Sequence, residues 1–325
     1  MILLDVLILA VGFAALIKGA DLFVEGSAGL AKKFHVPGLI IGLTIVAMGT
    51  SAPELAVSTS AALQSSNEIA LSNVVGSNIF NLLGVLGICA IIHPVPVDNG
   101  ILKRDFPISI ISTILFLLGT CSVTLFSGRM FTQKMSENAG NISRIAGFIL
   151  LGVFILYIIY LIADARKHPE PESETIIQPL WKCLLFIILG LAMIIGGGQA
   201  VVYSAKALAL AAGMTETLIG LTIVAIGTSL PELVTSIVAA RKGETGMAVG
   251  NVIGSNIFNL LFILGISASI HPITVNLASV YDLIILIAVT LITYLFSLSA
   301  RTLKRSEGIV MVILYIVDII FAIVR

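Results

Sequence analysis

The feature that most constrains the fold of this chain is an internal repeat at an offset of 178 residues. The segment GLTIVAMGTSAPEL at 42–55 matches GLTIVAIGTSLPEL at 220–233, and NVVGSNIFNLLGVLGICAIIHP at 73–94 matches NVIGSNIFNLLFILGISASIHP at 251–272. Without any gap, 34 of the 54 residues at 41–94 are identical to their partners. Such self-similarity indicates that the chain is a duplication of one structural unit.

The composition places both copies in a lipid bilayer. Of the 325 residues, 58% are hydrophobic and only 11% are charged, whereas soluble domains carry about 25% charged residues. Segments such as 107–126 and 145–163 are apolar over the ~20 residues that a membrane-spanning helix needs. Basic and acidic residues balance at 18 each, so no net charge indicates a nucleic-acid partner. The sequence shows no evident cofactor or obligate protein partner.

Apolar segments divide the chain into two sets of five predicted spans. They lie near 3–29, 37–63, 69–92, 106–126 and 145–163, and near 181–211, 216–240, 246–271, 279–298 and 307–324. We therefore predict an all-α polytopic membrane protein with ten transmembrane helices. Its parts are a first repeat at 1–163 with its motif at 42–94, a short linker at 164–180, and a second repeat at 181–325 with its motif at 220–272.

An odd number of spans per repeat predicts that the second repeat is inverted relative to the first. Basic residues give an independent test, because Lys and Arg are enriched in cytoplasmic loops. With the N-terminus outside, twelve Lys and Arg residues fall in cytoplasmic loops and five outside, with Lys18 inside a span. We therefore predict that the protein lies in the cell membrane, with both termini extracytoplasmic and the linker cytoplasmic.

Each copy places one glutamate near the middle of an apolar span. Glu54 and Glu232 lie roughly 15 residues into their spans, which is about the bilayer centre at ~1.5 Å per residue. A central acidic residue costs about 3 kcal/mol on insertion scales. A protonated glutamate that joins helices is the alternative explanation. Two glutamates at equivalent positions favour a functional pair that faces across the interface between the repeats.

Proline and glycine next to these glutamates predict a break in each helix. Pro53 and Pro231 lack an amide hydrogen, and the Gly-Thr-Ser before each of them predicts a break at 49–51 and at 227–229. A simple kink is the alternative. Unwound backbone survives in a membrane only where it is buried in protein or lines a cavity. Gly/Pro-interrupted spans at matching places in two halves indicate the substrate site of a transporter.

The second repeated motif, GSNIFN at 76–81 and 254–259, supplies further polar side chains. Residues four apart share a helix face; these are Ser77 with Asn81, and Ser255 with Asn259. Asn78 and Asn256 are expected to point elsewhere. Helix packing through small polar residues is the alternative role for the serines.

Carboxylates, amides and hydroxyls select hard cations such as Ca²⁺ and Na⁺. Two glutamates neutralise one divalent ion, and Na⁺ or H⁺ could replace it. These are the ingredients of an antiporter whose ions compete for one site.

The pairs GTSAPEL with GSNIFN and GTSLPEL with GSNIFN resemble the two α-repeats of the sodium/calcium exchanger family, within the cation/calcium exchanger superfamily. The resemblance covers essentially the whole chain. It implies that broken helices 2, 3, 7 and 8 form an ion-binding core, past which the long helices 1 and 6 slide. It also implies Na⁺/Ca²⁺ antiport by alternating access, typically electrogenic with three Na⁺ for one Ca²⁺.

The resemblance further implies a set of metal ligands for the transported ions. They would be the carbonyl of Ala47 with Thr50, Ser51, Glu54, Ser77 and Asn81, and the carbonyl of Ala225 with Thr228, Ser229, Glu232, Ser255 and Asn259. Some family members carry Asp at the position of Asn81 or Asn259. The presence of Asn at both positions argues against K⁺ co-transport.

Three other functions are alternatives to Na⁺/Ca²⁺ exchange. H⁺/Ca²⁺ antiport, or antiport of another divalent cation, stays open because Glu54 and Glu232 could titrate. A cation channel would also use oxygen-lined helices, but the inverted repeat and the paired buried glutamates favour binding and exchange. An enzyme is not expected, since no His or Lys lies near either motif to activate a nucleophile.

Overall fold

The computed structural model describes residues 2–64, 67–126, 134–167, 178–213 and 225–324. Within these ranges, eight helices are long and apolar enough to cross a membrane, and one bent helix pair qualifies as a ninth. The predicted all-α polytopic class is confirmed, but the predicted count of ten helices is not. The predicted span at 216–240 begins on residues that lie outside the described ranges.

The described residues form the following helices and short strands, labelled in chain order. The helices are α1 (Ile2–Phe34), α2 (Gly38–Thr50), α3 (Ala52–Leu63), α4 (Asn67–Ile79, Phe80–Val85 and Leu86–Ile92), α5 (Ile101–Asp105 and Phe106–Phe126), α6 (Arg144–Lys167), α7 (Leu180–Ala211), α8 (Ala225–Thr228), α9 (Leu230–Arg241), α10 (Thr245–Ile257, Phe258–Ile263 and Leu264–Ile270), α11 (Leu277–Ala300) and α12 (Arg305–Val324). The short strands are β1 (Val95–Pro96), β2 (Asn138–Ile142), β3 (Ile273–Asn276) and β4 (Thr302–Leu303).

Both glutamate-bearing spans are interrupted at a single serine. Ser51 separates α2 from α3, which are bent by 50°, and Ser229 separates α8 from α9. The two serines have nearly the same backbone angles, φ −81° and ψ 11° for Ser51 and φ −95° and ψ 9° for Ser229. The break is therefore narrower than the three residues predicted. Pro53 and Pro231 lie in the first turn of the following helix, where a missing amide hydrogen costs little.

Helices α4 and α10 stay helical throughout but change their winding at matching places. Phe80–Val85 in α4 and Phe258–Ile263 in α10 are π-helical and lie 178 residues apart. These are the third and eighth predicted spans, for which the family resemblance implied breaks. The structure has wider turns within a continuous helix at these places. Such π-helical segments occur frequently at functional sites. Here they begin immediately before Asn81 and Asn259.

The long helices α1 and α7 pack against each other through glycines, and this contact follows the repeat. Gly12 faces Gly197, and Gly19 faces Gly190. Gly190 is the repeat counterpart of Gly12, and Gly197 is that of Gly19, so the repeat exchanges the two contacts. A Cβ atom at Gly19 would lie 2.8 Å from the Gly190 carbonyl oxygen, which leaves no room for a side chain. The two backbones therefore approach as closely as small-residue interfaces in membranes allow.

Two small antiparallel sheets tie loops of the two repeats together. In the first, β1 pairs with β4, with Val95 opposite Leu303. In the second, β2 pairs with β3, with Ile142 opposite Ile273. Strands β1 and β4 lie in loops predicted to share one side of the membrane, and β2 and β3 lie in loops predicted to share the other. Each sheet thus joins the two repeats at one end of the bundle.

Candidate ion-binding site

Glu54 and Glu232 lie at the N-terminal ends of α3 and α9 and are fully buried. Each glutamate occupies the first turn of its helix because the break at the preceding serine starts a new helix there. The N-terminal end of a helix carries a partial positive charge that favours a carboxylate. The break therefore offsets part of the cost of placing a charge in the membrane interior.

Serines at the breaks hydrogen-bond to the glutamate of the opposite repeat. The Ser51 hydroxyl donates to Glu232 Oε1 at 2.7 Å, and the Ser229 hydroxyl donates to Glu54 Oε1 at 2.9 Å. Hydrogen bonds to charged groups are stronger than those between neutral groups. The two repeats are thus joined at the centre of the molecule by a crossed pair of bonds.

The serines of the GSNIFN motifs complete this polar cluster. Ser77 Oγ lies 3.3 Å from Glu54 Oε1 and 2.8 Å from Ser229 Oγ. Ser255 Oγ lies 3.5 Å from Glu232 Oε1 and 3.4 Å from the Ala47 carbonyl oxygen. The structure thus brings Ser51, Ser229, Ser77 and Ser255 together around the two predicted glutamates.

Four oxygen atoms of the two glutamates and of two predicted asparagine ligands are buried and have no hydrogen-bond partner among the described residues. They are Oε2 of Glu54, Oε2 of Glu232, Oδ1 of Asn81 and Oδ1 of Asn259. Leaving a buried acceptor unpaired costs about 1–3 kcal/mol, and more for a charged group. Such groups in a native structure need an explanation. All four are hard oxygen ligands contributed equally by the two repeats, so a bound hard cation fits them.

The remaining predicted ligands lie around the breaks. Thr50 is buried, and its hydroxyl lies 3.0 Å from Asn251 Oδ1 and 3.1 Å from the Val46 carbonyl oxygen. The Ala47 carbonyl oxygen accepts a hydrogen bond from the Ser51 amide at 3.1 Å and has a second lone pair. Thr228 is the last residue of α8 and Ala225 is the first. Their role as ligands remains a prediction.

Two asparagines that were not predicted hydrogen-bond to the main-chain carbonyls of the two glutamates. Asn251 Nδ2 donates to Ser236 Oγ at 2.9 Å and to the Glu232 carbonyl at 3.4 Å. In the first repeat, Asn73 Nδ2 donates to Ser58 Oγ at 3.0 Å and to the Glu54 carbonyl at 3.4 Å. Asn occupies both position 73 and position 251 of the repeated motif, and this identity could have indicated that the two residues have a role at the site.

The prediction that Asn78 and Asn256 point away from the site was wrong. Asn78 Oδ1 accepts a hydrogen bond from Asn259 Nδ2, and Asn256 Oδ1 accepts one from Asn81 Nδ2, each at 3.1 Å. Helices α4 and α10 are copies that cross at this point. The helix face that carries Asn78 is turned away from Glu54, the glutamate of its own repeat, and it therefore contacts the helix of the other repeat.

A duplicated helical membrane fold with a buried polar site shared between the repeats defines a secondary transporter. The family model described as sodium/calcium exchanger protein matches residues 4–163 and 182–324, and the chain belongs to the sodium/calcium exchanger family. This is a family of transporters and not of enzymes.

Named relatives and solved structures match over nearly the full length. The putative antiporter CaxA of Alkalimonas amylolytica is 38% identical, with 94% of each chain covered. The sodium/calcium exchanger MaX1 of Methanosarcina acetivorans is 33% identical, with 97% of each covered. A structure of the sodium-calcium exchanger NCX_Mj, soaked with Na⁺ and Sr²⁺, superposes with a TM-score of 0.82 at 32% identity, with 98% of each chain covered.

Proposed function

We propose that this protein is a secondary active antiporter that exchanges Na⁺ for Ca²⁺ by alternating access, with three Na⁺ for each Ca²⁺. The observation that carries this proposal is the set of four unpaired buried oxygens, two carboxylate and two amide. Their chemistry suits Ca²⁺ and Na⁺, and the relative MaX1 is named a sodium/calcium exchanger. Moving three Na⁺ against one Ca²⁺ transfers one net charge, so the exchange is electrogenic.

The charge of the site explains why exchange is obligatory. Two ionised glutamates without a cation would leave two uncompensated negative charges inside the membrane, which is costly. The empty site therefore resists the change of access until Ca²⁺ or Na⁺ occupies it. Within the site, Ser51 and Ser229 hold one oxygen of each glutamate, so that the other oxygen stays available to the transported ion.

Alternating access requires one part of the molecule to move past another, and α1 with α7 is the candidate for the moving part. These helices pack on each other through glycines and meet the breaks through two further glycines. A Cβ atom at Gly49 would lie 3.0 Å from Phe23 of α1, and one at Gly227 would lie 2.3 Å from Val202 of α7. Because residues 49 and 227 have no side chains, α1 and α7 can pack closely against the helices that carry the breaks.

H⁺/Ca²⁺ antiport is the second candidate, supported by the 38% identity to CaxA, whose name specifies no coupling ion. A proton carried on Oε2 of Glu54 or Glu232 would itself need an acceptor to donate to. Within the described ranges, neither Oε2 atom has a hydrogen-bond partner. A metal cation satisfies these oxygens and the two amide oxygens together, which favours Na⁺ as the coupling ion.

Uptake of ⁴⁵Ca²⁺ into proteoliposomes tests the coupling ion. Vesicles loaded with Na⁺ are compared with vesicles loaded with choline, and with choline-loaded vesicles that carry only a pH gradient. We expect uptake that requires internal Na⁺ and that accelerates when the vesicle interior is held positive. Uptake driven by the pH gradient alone would replace Na⁺ by H⁺ in the proposal. Insensitivity to the imposed voltage would contradict the stoichiometry of three to one.

We also infer that both termini face the outside of the cell membrane. The β1–β4 sheet joins two loops in the predicted cytoplasmic set, and the β2–β3 sheet joins two in the predicted external set, which supports their grouping. A thiol reagent that cannot cross the membrane should label Asn141→Cys in intact cells but leave Lys32→Cys unlabelled. Both positions are exposed, and the three native cysteines are buried. The reverse labelling pattern would invert the orientation.

A further inference from the structure

Four buried asparagines form a cluster where α4 crosses α10, and each repeat contributes two of them. They are Asn78, Asn81, Asn256 and Asn259, each at most 2% exposed. The bonds within the cluster run between the repeats. Asn81 and Asn259 are two of the residues with an unpaired oxygen at the proposed ion site, whereas Asn78 and Asn256 are assigned to no role by the proposed function.

The direction of each amide follows from two main-chain carbonyls, which can only accept hydrogen bonds. Asn256 Nδ2 donates to the Asn78 carbonyl at 3.2 Å, so Asn256 Oδ1 must face the other way. That oxygen lies 3.1 Å from Asn81 and accepts from its Nδ2. The opposite orientation of Asn81 would place two amide oxygens against each other. Asn81 is therefore held with its Oδ1 turned away from Asn256.

The second half of the cluster repeats this arrangement. Asn78 Nδ2 donates to the Asn256 carbonyl at 3.1 Å, and Asn78 Oδ1 accepts from Asn259 Nδ2 at 3.1 Å. Asn259 Nδ2 also lies 3.4 Å from Ser77 Oγ, which itself contacts Glu54. The amide group of Asn259 is thus adjacent to the glutamate cluster, and its Oδ1 is left without a partner.

We propose that Asn78 and Asn256 are positioning residues that make Asn259 and Asn81 present an oxygen, and not an NH₂ group, to the transported ion. Each positioning residue acts across the repeat boundary, since Asn78 of the first repeat orients Asn259 of the second. An NH₂ group in that place would repel a cation, so the orientation of two neutral amides sets part of the affinity. This inference rests on the proposed function.

Equilibrium binding of ⁴⁵Ca²⁺ to the purified full-length protein tests the proposal in a double-mutant cycle. Asn78→Ala removes the acceptor for Asn259 Nδ2, which then turns freely, and the dissociation constant for Ca²⁺ should rise on the order of tenfold. In the Asn259→Asp background the two carboxylate oxygens are equivalent, so no wrong orientation exists. One of those oxygens lies against Asn78 Oδ1 and is repelled by it, so Asn78→Ala should no longer raise the dissociation constant there.

The matched control is the same substitution in the Asn81→Asp background. Asn81 is held by Asn256, so Asn78→Ala should still weaken binding by about the same tenfold factor as in the wild-type protein. Equal factors in all three backgrounds would show a merely structural role for Asn78 and overturn the proposal. Thermal unfolding of each variant confirms that the binding comparison is made on folded protein.

The test also separates the proposal from the proposed function. A wild-type protein that binds no ⁴⁵Ca²⁺ would contradict Ca²⁺ as a substrate. The same cycle would then be measured with ²²Na⁺, for which we expect the same pattern of factors. If the expected factors in the dissociation constant are found with neither ion, or if the protein binds neither ion, the proposed role of Asn78 and Asn256 is overturned. Failure of coupling in vesicles with the binding pattern intact would concern the proposed function alone.

Discussion

The two repeats are nearly identical at the ion site and clearly different at its periphery. At the centre, the crossed serine–glutamate bonds measure 2.7 and 2.9 Å, and the two breaks share their backbone angles. At one end of the bundle, Lys242 Nζ lies 2.5 Å from Asp21 Oδ1, 2.9 Å from the Asp21 carbonyl oxygen and 4.0 Å from Glu25 Oε2. The counterpart of Lys242 is Gln64, which bonds only within its own helix among the contacts of the described residues.

This difference separates two requirements of a transporter. A site that must release the same ions to both sides of the membrane gains from ligands that are equivalent in both directions. Two inverted states of a symmetric molecule would be equally stable, and only contacts that differ between the two ends of the bundle bias the equilibrium between them. The ion pairs that join Lys242 to α1 have no counterpart at the opposite end, since the repeat partners of Asp21 and Glu25 are Gln199 and Tyr203.

Removing either glutamate charge should have the largest effect and the same effect in both repeats. Glu54→Gln and Glu232→Gln each leave a divalent ion with half of its neutralising charge in a buried site. We expect ⁴⁵Ca²⁺ uptake to fall by a factor of about 100 or more. Wild-type uptake in either variant would reject the site, and a large difference between the two would reject its symmetry. Size-exclusion profiles check that both variants remain folded.

Removing the crossed hydrogen bonds should have the next largest effect. Ser51→Ala and Ser229→Ala each release one oxygen of the opposite glutamate, and hydrogen bonds to charged groups contribute about 1.5–3 kcal/mol. The Ca²⁺ concentration for half-maximal uptake should therefore rise by roughly tenfold or more in both variants. Ser60→Ala, at an exposed position on α3, is the control and should behave as wild type. Opposite effects of the two site variants would show that the crossed bonds are not equivalent.

The α1–α7 interface should be sensitive on one face only. A Cβ atom at Gly190 would lie 2.6 Å from the Phe23 amide nitrogen, whereas one at Gly196 would meet nothing within 4 Å. Gly190→Ala should therefore destabilise the protein by about 1–3 kcal/mol, the usual cost of overpacking. Gly196→Ala, on the same helix, should leave the unfolding temperature unchanged or slightly raised. Equal unfolding temperatures for the two variants would contradict the close packing of α1 on α7.

Much of the central site was predictable because the repeat supplies its own comparison. Glu54, Glu232 and the four serines recur at equivalent positions, and polar residues in an apolar span need a function. The direction of Asn78 and Asn256 was not predictable from one helix, because it depends on how two copies cross. The π-helical turns that begin at Phe80 and Phe258 add to this, since they depart from the regular spacing on which face assignments rely.

The sequence pattern also did not show how many residues each break contains. Gly-Thr-Ser-x-Pro predicted three unwound residues, but the Thr50 hydroxyl bonds back to the Val46 carbonyl and α2 continues through Thr50. Such back-bonding is made by Thr within a helix and often bends it, so Thr50 stays helical and the bend falls at Ser51. The contact between Lys242 and Asp21 joins residues 221 positions apart and has no repeated partner. Neither periodicity nor internal comparison could therefore reveal it.

The contact between Lys242 and α1 should give the smallest effect, and one that is confined to one end of the bundle. Lys242 and Asp21 are partly exposed, with side-chain accessibilities of 32% and 36%, and such pairs contribute about 0–1 kcal/mol. Lys242→Gln should therefore change the maximal rate of exchange by no more than about fivefold, without changing the Ca²⁺ concentration for half-maximal uptake. The change should shrink as ionic strength rises, because salt screens exposed charges. Gln64→Ala at the counterpart position should leave the rate unchanged at every salt concentration. A rate change shared by both variants would show that the two ends are equivalent, and that the difference between the repeats has no part in setting the conformational equilibrium.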